Sequence, residues 1–156
     1  MGIISTEAIV ISTIKYSDTS LIARLYTKEL GLVSYLLKGI LKSKKGKLRT
    51  AYFQPLTQLS IIAKHQEKRN LQILSEAKVI HSYETIHTSV VKQSIVLFIS
   101  EILTSAIQEE ENNNLLYDYL KNSFIWFDSH QQISNFHLLF LMNLTKFLGF
   151  YPDLSE

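Results

Sequence analysis

Between residues 6 and 80 the apolar positions fall in short runs separated by turn-forming side chains. "TEAIVIST" (6–13) is rich in β-branched residues and too short for a comfortable helix, so it predicts a strand. "YSDTS" follows as a turn, where Ser and Asp side chains can bond local backbone groups. "LIARLYTKE" (21–29) alternates, with Leu21, Ala23 and Leu25 on one face and Arg24, Tyr26 and Lys28 on the other. After Leu30-Gly31, "LVSYLLKGI" resumes as a third strand, and "PLTQLSIIAK" (55–64) and "LQILSEAKVI" (71–80) supply two more around the polar turn "HQEKRN".

Beyond residue 80 the period changes. Val91, Ile95, Phe98, Ile99, Ile102, Leu103, Ala106 and Ile107 form a helical stripe, which "EEENNN" (109–114) ends. A second helix carries Leu116, Tyr119, Leu120, Phe124 and Phe127. A third, 133–150, is apolar nearly all round and is expected to be the most buried member of the bundle. Five short strands suit a small barrel or a sandwich, and the five-stranded β barrel of the OB-fold matches their count and length; a C-terminal all-α bundle is expected to follow. The expected division is a nucleic-acid-binding domain at 1–80 and a helical domain at 81–156.

Charge divides at the same place. Residues 1–80 hold 13 Lys+Arg against 5 Asp+Glu, a net of +8, whereas residues 81–156 hold 3 against 9, a net of −6. Such asymmetry implies that the first half meets something anionic. "KGILKSKKGKLR" (38–49) concentrates six cations with no acid. Lys38, Lys42, Lys44, Lys45, Lys47 and Arg49 are therefore candidate phosphate contacts. Arg24 and Tyr26 on the second strand and Tyr35 on the third are candidates for a barrel face that combines cations with stacking rings. A solvated connection, a dock for an acidic peptide and an RNA-binding surface are the alternative readings of the same residues.

Several functions are disfavoured. With no cysteine, the chain has neither disulfides nor a cysteine zinc site. Gly46-Lys47 is not a P-loop, because Leu48 replaces the required Ser/Thr and Leu41 stands where the first Gly belongs. His81, Glu84 and His87 spread around a helix too widely to share a metal. No nucleophile–base arrangement is visible, so the expectation is a non-enzyme without cofactor. Lacking a signal peptide and an uninterrupted membrane-length apolar run, the chain is expected to be soluble and cytoplasmic.

Taken together, "EAIVIS", "YSDTSLIARLYTKELGLVSYLLKGI", "FQPLTQLSI" and "FLGFYPDL" resemble the RecO family of bacterial recombination mediators. Their order and spacing carry the likeness, with "TKELG" followed by "KGI" its most specific piece. The resemblance implies an OB-fold and a helical domain that bind single- and double-stranded DNA and anneal complementary strands. It also implies help in loading recombinase onto DNA coated by single-strand binding protein, with that protein's acidic C-terminal tail and RecR as partners and no membrane. For the tail, the helical half is expected to offer an apolar groove with a cationic rim, for which it has only Lys92, Lys121 and Lys146, leaving room for a contribution from a barrel residue. Two departures stand out: Asp18 where the family more often has Glu, and no Cys-x-x-Cys zinc site after "GFYPDL". Members usually exceed 156 residues, so the expected reading is a chain cut before the family's C-terminal region.

Overall fold

The computed structural model describes residues 2–42, 46–108 and 111–149. Five strands come first: β1 (Gly2–Lys15), β2 (Leu21–Thr27), β3 (Gly31–Leu37), β4 (Gln58–His65) and β5 (Leu71–His81). Three helices follow: α1 (Val90–Ala106), α2 (Asn114–Ser129) and α3 (Phe136–Phe147). The strands close into a barrel in the order β1-β2-β3-β5-β4. Every pairing is antiparallel except β3 with β5. This is the OB-fold predicted from the strand count. β1 is longer than the predicted 6–13, because its first residues, Gly2 to Glu7, pair with β4 along His65 to Ser60.

Strand alternation builds two cores. Ala8, Val10, Ala23, Leu25, Tyr35, Leu37, Leu59 and Ile61 point into the barrel, which Ile40 and Phe53 plug at one end. The intervening residues Ile9, Ile11 and Tyr26 point outward, yet they are fully buried because the helices lie over them. There they join Ile99, Leu103, Tyr117, Leu120 and Phe124 in a second core. The change of period near residue 80 thus separates two kinds of element that share this second core. Across it, the Ser100 hydroxyl donates to the Ile11 carbonyl, and Tyr83 donates to the Leu56 carbonyl at 2.6 Å.

A buried polar node fixes the connection between barrel and helices. The Asp128 carboxylate, at the end of α2, accepts from the backbone N–H groups of Glu84, Thr85 and Ile86 at 2.9, 2.8 and 3.0 Å. Burial pushes this carboxyl up, but the backbone bonds and the Thr85 hydroxyl together hold it below its ordinary value. Lys92 Nζ donates to Thr85 Oγ1 and to the Phe127 carbonyl, both at 2.7 Å, and to the Asp128 carbonyl at 3.1 Å. The cation thereby meets carbonyls that the end of α2 would otherwise leave open.

The third helix departs from expectation. Phe136, Phe140 and Leu144 are buried, but Leu138, Leu139 and Met142 are 53%, 59% and 46% exposed. Four-residue spacing places the buried three on one stripe facing α2, and no described element covers the opposite side. An all-round apolar helix reads as central only when neighbours surround it; this one lies at the edge.

Candidate nucleic-acid interface

The helices cover one part of the barrel's outer surface and leave another open. On the open part, the end of β2 that follows the β1–β2 turn carries Ile22 and Arg24, paired across to Leu36 and Ser34 of β3. The β1–β2 turn (16–20) is bound to the start of the basic connection. Gly39 N–H donates to Ser20 Oγ at 3.0 Å, and Leu41 N–H donates to the Thr19 carbonyl at 3.0 Å. Gly39, at φ 70°, makes the left-handed turn from which this connection departs.

At the other edge lies the β4–β5 turn, and Gln72 holds its shape. That side chain is 3% exposed; its amide donates to the carbonyls of Gln66 at 2.8 Å and Arg69 at 2.7 Å, while its oxygen accepts from Gln66 N–H at 2.9 Å. A side chain that satisfies three backbone groups makes the turn a fixed platform, from which Lys68 and Arg69 stand exposed.

The candidate residues divide into three sets. Lys38, Lys42, Lys47 and Arg49 are exposed cations, as the charge pattern predicted, and Arg24 is half-buried on the barrel wall, in a depression it shares with Arg69 and Asn70 of the β4–β5 turn. Lys47 is tied to Glu76 of β5 at 2.6 Å, and this bond and charge hold the Glu76 carboxyl below its ordinary value. The Arg49 guanidinium lies 5.9 Å from the Tyr52 ring centre. Lys44 and Lys45 lie outside the described residues. The two tyrosines are corrections. Tyr35 is 1% exposed: it pairs with Ala23, so it shares that residue's inward face, and burial pushes its phenol up to about 12. Tyr26 does share the outward face of Arg24, but α2 covers it, with the Tyr117 ring centre 6.2 Å away. Neither ring is open to a base.

The helical rim is also corrected. Lys92 is 5% exposed and committed to carbonyls, and Lys121 pairs with Glu7 at 3.3 Å. Burial lowers the Lys92 pKa, the opposite of what a surface phosphate or carboxylate would do. Only Lys146 of the three is exposed.

Sequence reasoning passed over Tyr16, Lys68 and Arg69. Tyr16 is 59% exposed at the β1–β2 turn. Turn residues of an OB barrel flank its strand β2–β3 face, and that alone would have singled them out.

A closed five-stranded barrel with these two turns, a basic connection and a helical cap defines the class: an OB-fold protein with a helical extension. Comparison narrows this further. A family described as "Recombination protein O N terminal" matches residues 1–83, and "Recombination protein O C terminal" matches residues 87–156. The chain belongs to the RecO family. It is 49% identical to the DNA repair protein RecO of Christiangramia forsetii and 48% identical to that of Flavobacterium psychrophilum, in each case over 98% of this chain and 64% of the relative. Identity to the DNA repair protein RecO of Porphyromonas gingivalis is 35%, over 98% of this chain and 63% of the relative. The chain therefore spans less than two thirds of the length of these relatives.

Proposed function

We propose that this chain is a DNA-binding part of a recombination mediator acting in DNA repair, one that holds strands without catalysing a covalent step. One observation carries the reading. Lys38, Lys42, Lys47, Arg49, Lys68 and Arg69 stand exposed on two connections of the barrel, whereas the helices cover part of its wall and the acidic surplus of the chain falls after residue 80. Lysines on exposed connections neutralise phosphates without reading bases, so binding is nearly independent of sequence. Two strands brought to such a surface repel each other less, which favours annealing without nucleotide fuel. The names of the relatives point the same way.

The binding partners are single- and double-stranded DNA through the barrel, with single-strand binding protein and RecR as protein partners in recombinase loading. The place of action is the bacterial cytoplasm, at the nucleoid. The acidic tail of single-strand binding protein finds its cations on the barrel rather than on Lys92, which is spent inside the fold. Annealing of two complementary labelled oligonucleotides, followed by fluorescence in the presence of the chain, tests the reading. Faster annealing without added ATP supports it; a rate equal to that of the free strands overturns it.

A further inference from the structure

Across the barrel from the open β2–β3 face lies a second wall, formed by the start of β1 with β4 and β5. Alternation along β1 runs unbroken from Ile3 to Ile9, which pair with β4 from Lys64 to Gln58. Ile3, Ser5, Glu7 and Ile9 therefore share the outward side of the strand. Ile9 lies in the core under the helices, and Glu7 pairs with Lys121 of α2 at 3.3 Å. Helical cover ends there, and Ile3 beyond it is 75% exposed.

Cross-strand pairing carries this bare wall onto β4 and β5. Lys64 stands between Ile3 and Ile73, Ile62 between Ser5 and Glu76, and Ser60 between Glu7 and Lys78. Ile3, Ile62 and Ile73 thus make an aliphatic cluster on three neighbouring strands, and all three are exposed, Ile73 by 42%. A single surface isoleucine needs no explanation, but a contiguous set of them marks an interaction surface. Charge says what kind of partner suits it. Glu7 and Glu76 are already matched, by Lys121 and by Lys47. Lys64 and Lys78 are exposed and make no ion pair among the described residues. The wall therefore offers an aliphatic centre beside two unmatched cations.

The chain itself shows what covers such a wall. Further along the same side of β1, Ile9 and Ile11 are buried under the apolar stripe of α1, where Ile99 and Leu103 stand one turn apart.

We propose that the bare wall of β1, β4 and β5 docks an acidic amphipathic helix of another protein, with its apolar stripe on Ile3, Ile62 and Ile73 and its carboxylates on Lys64 and Lys78. This surface goes beyond the proposed function and leaves the β2–β3 face free, so strand binding and docking can occur together. The aliphatic centre supplies most of the affinity, because exposed ion pairs contribute little. The lysines select the sign of the partner and speed its approach.

The test follows backbone amide shifts of the full 156-residue chain by NMR. The probe is a synthetic helix-forming peptide with leucine on one stripe and glutamate elsewhere; its counterpart carries lysine in place of glutamate. The acidic peptide should shift the amides of Ile3, Ile62, Lys64 and Ile73 saturably, at least tenfold more tightly than the lysine peptide. Lys64→Glu combined with Lys78→Glu should weaken it at least tenfold. Ile73→Ser, at an exposed position, should weaken it at least threefold and leave the affinity for single-stranded DNA unchanged. Equal affinity for the two peptides, shifts confined to α1 and α3, or no response to these substitutions would overturn the surface. Movement of the same amides with protein concentration alone would overturn it by assigning the wall to a second copy of the chain. A single-stranded oligonucleotide that moves them and displaces the acidic peptide would overturn it by making the wall part of the DNA surface.

Discussion

Tyr26 shows how the surroundings of one side chain decide its use. Its strand position gives it the outward face, and the helices then turn that face into interior. Replacing Tyr26 with Ala should therefore cost stability, about 3–5 kcal/mol by analogy with other large aromatic truncations in cores, measured by urea unfolding. The salt dependence of DNA binding should be unchanged in the fraction that remains folded. A stable Tyr26→Ala protein with weakened DNA binding would return the ring to the interface. Asp128 is the second decisive residue. Its carboxyl lies below its ordinary value of 3.8 in the folded state, so the stability it contributes is present above that value and is lost as pH falls through and below it. Asp128→Ala should cost about 3 kcal/mol at neutral pH, because three backbone N–H groups lose their acceptor and Lys92 loses the neighbouring negative charge. Asp128→Asn should flatten the acid limb of the stability curve. An unchanged acid limb would show that the node is not what acid breaks.

Elements were legible where the local period decides them. Alternation in β2 placed Ala23 and Leu25 inward and Arg24 outward, and the structure keeps that assignment. The period says which side of a strand a residue occupies, but not what lies beyond that side. Tyr26 and Arg24 share a face and meet different neighbours for this reason. Tyr35 was misread because its pairing register with Ala23 is a tertiary fact. The β4–β5 turn was visible as polar punctuation, but its rigidity comes from Gln72, whose bonds back to Gln66 and Arg69 no composition rule reveals. In α3 the apolar count exceeds what its neighbours cover. Phe140→Ala should cost about 3–5 kcal/mol, whereas Leu139→Ala should stay within about 0.5 kcal/mol, both read from chemical denaturation. Equal costs would mean that the exposed side of α3 is packed in solution.

At the scale of the whole molecule, the basic half of the chain is also the half whose connections remain open, and the acidic half serves largely as a cap on the barrel. Surface ion pairs such as Lys47 with Glu76 are too exposed to contribute much to stability and can exchange the carboxylate for a phosphate. The measurement that bears most directly on this arrangement is the affinity for single-stranded DNA as a function of salt. With roughly four phosphates neutralised, log K against log salt should slope by about −3, from about −0.7 per contact on single strands. Changing Lys42, Lys44, Lys45 and Lys47 together to Ala should flatten the slope and weaken binding, with the barrel intact because the described members of this set are exposed. An unchanged slope in that variant would contradict the account and place the DNA, if it binds, away from the basic connection.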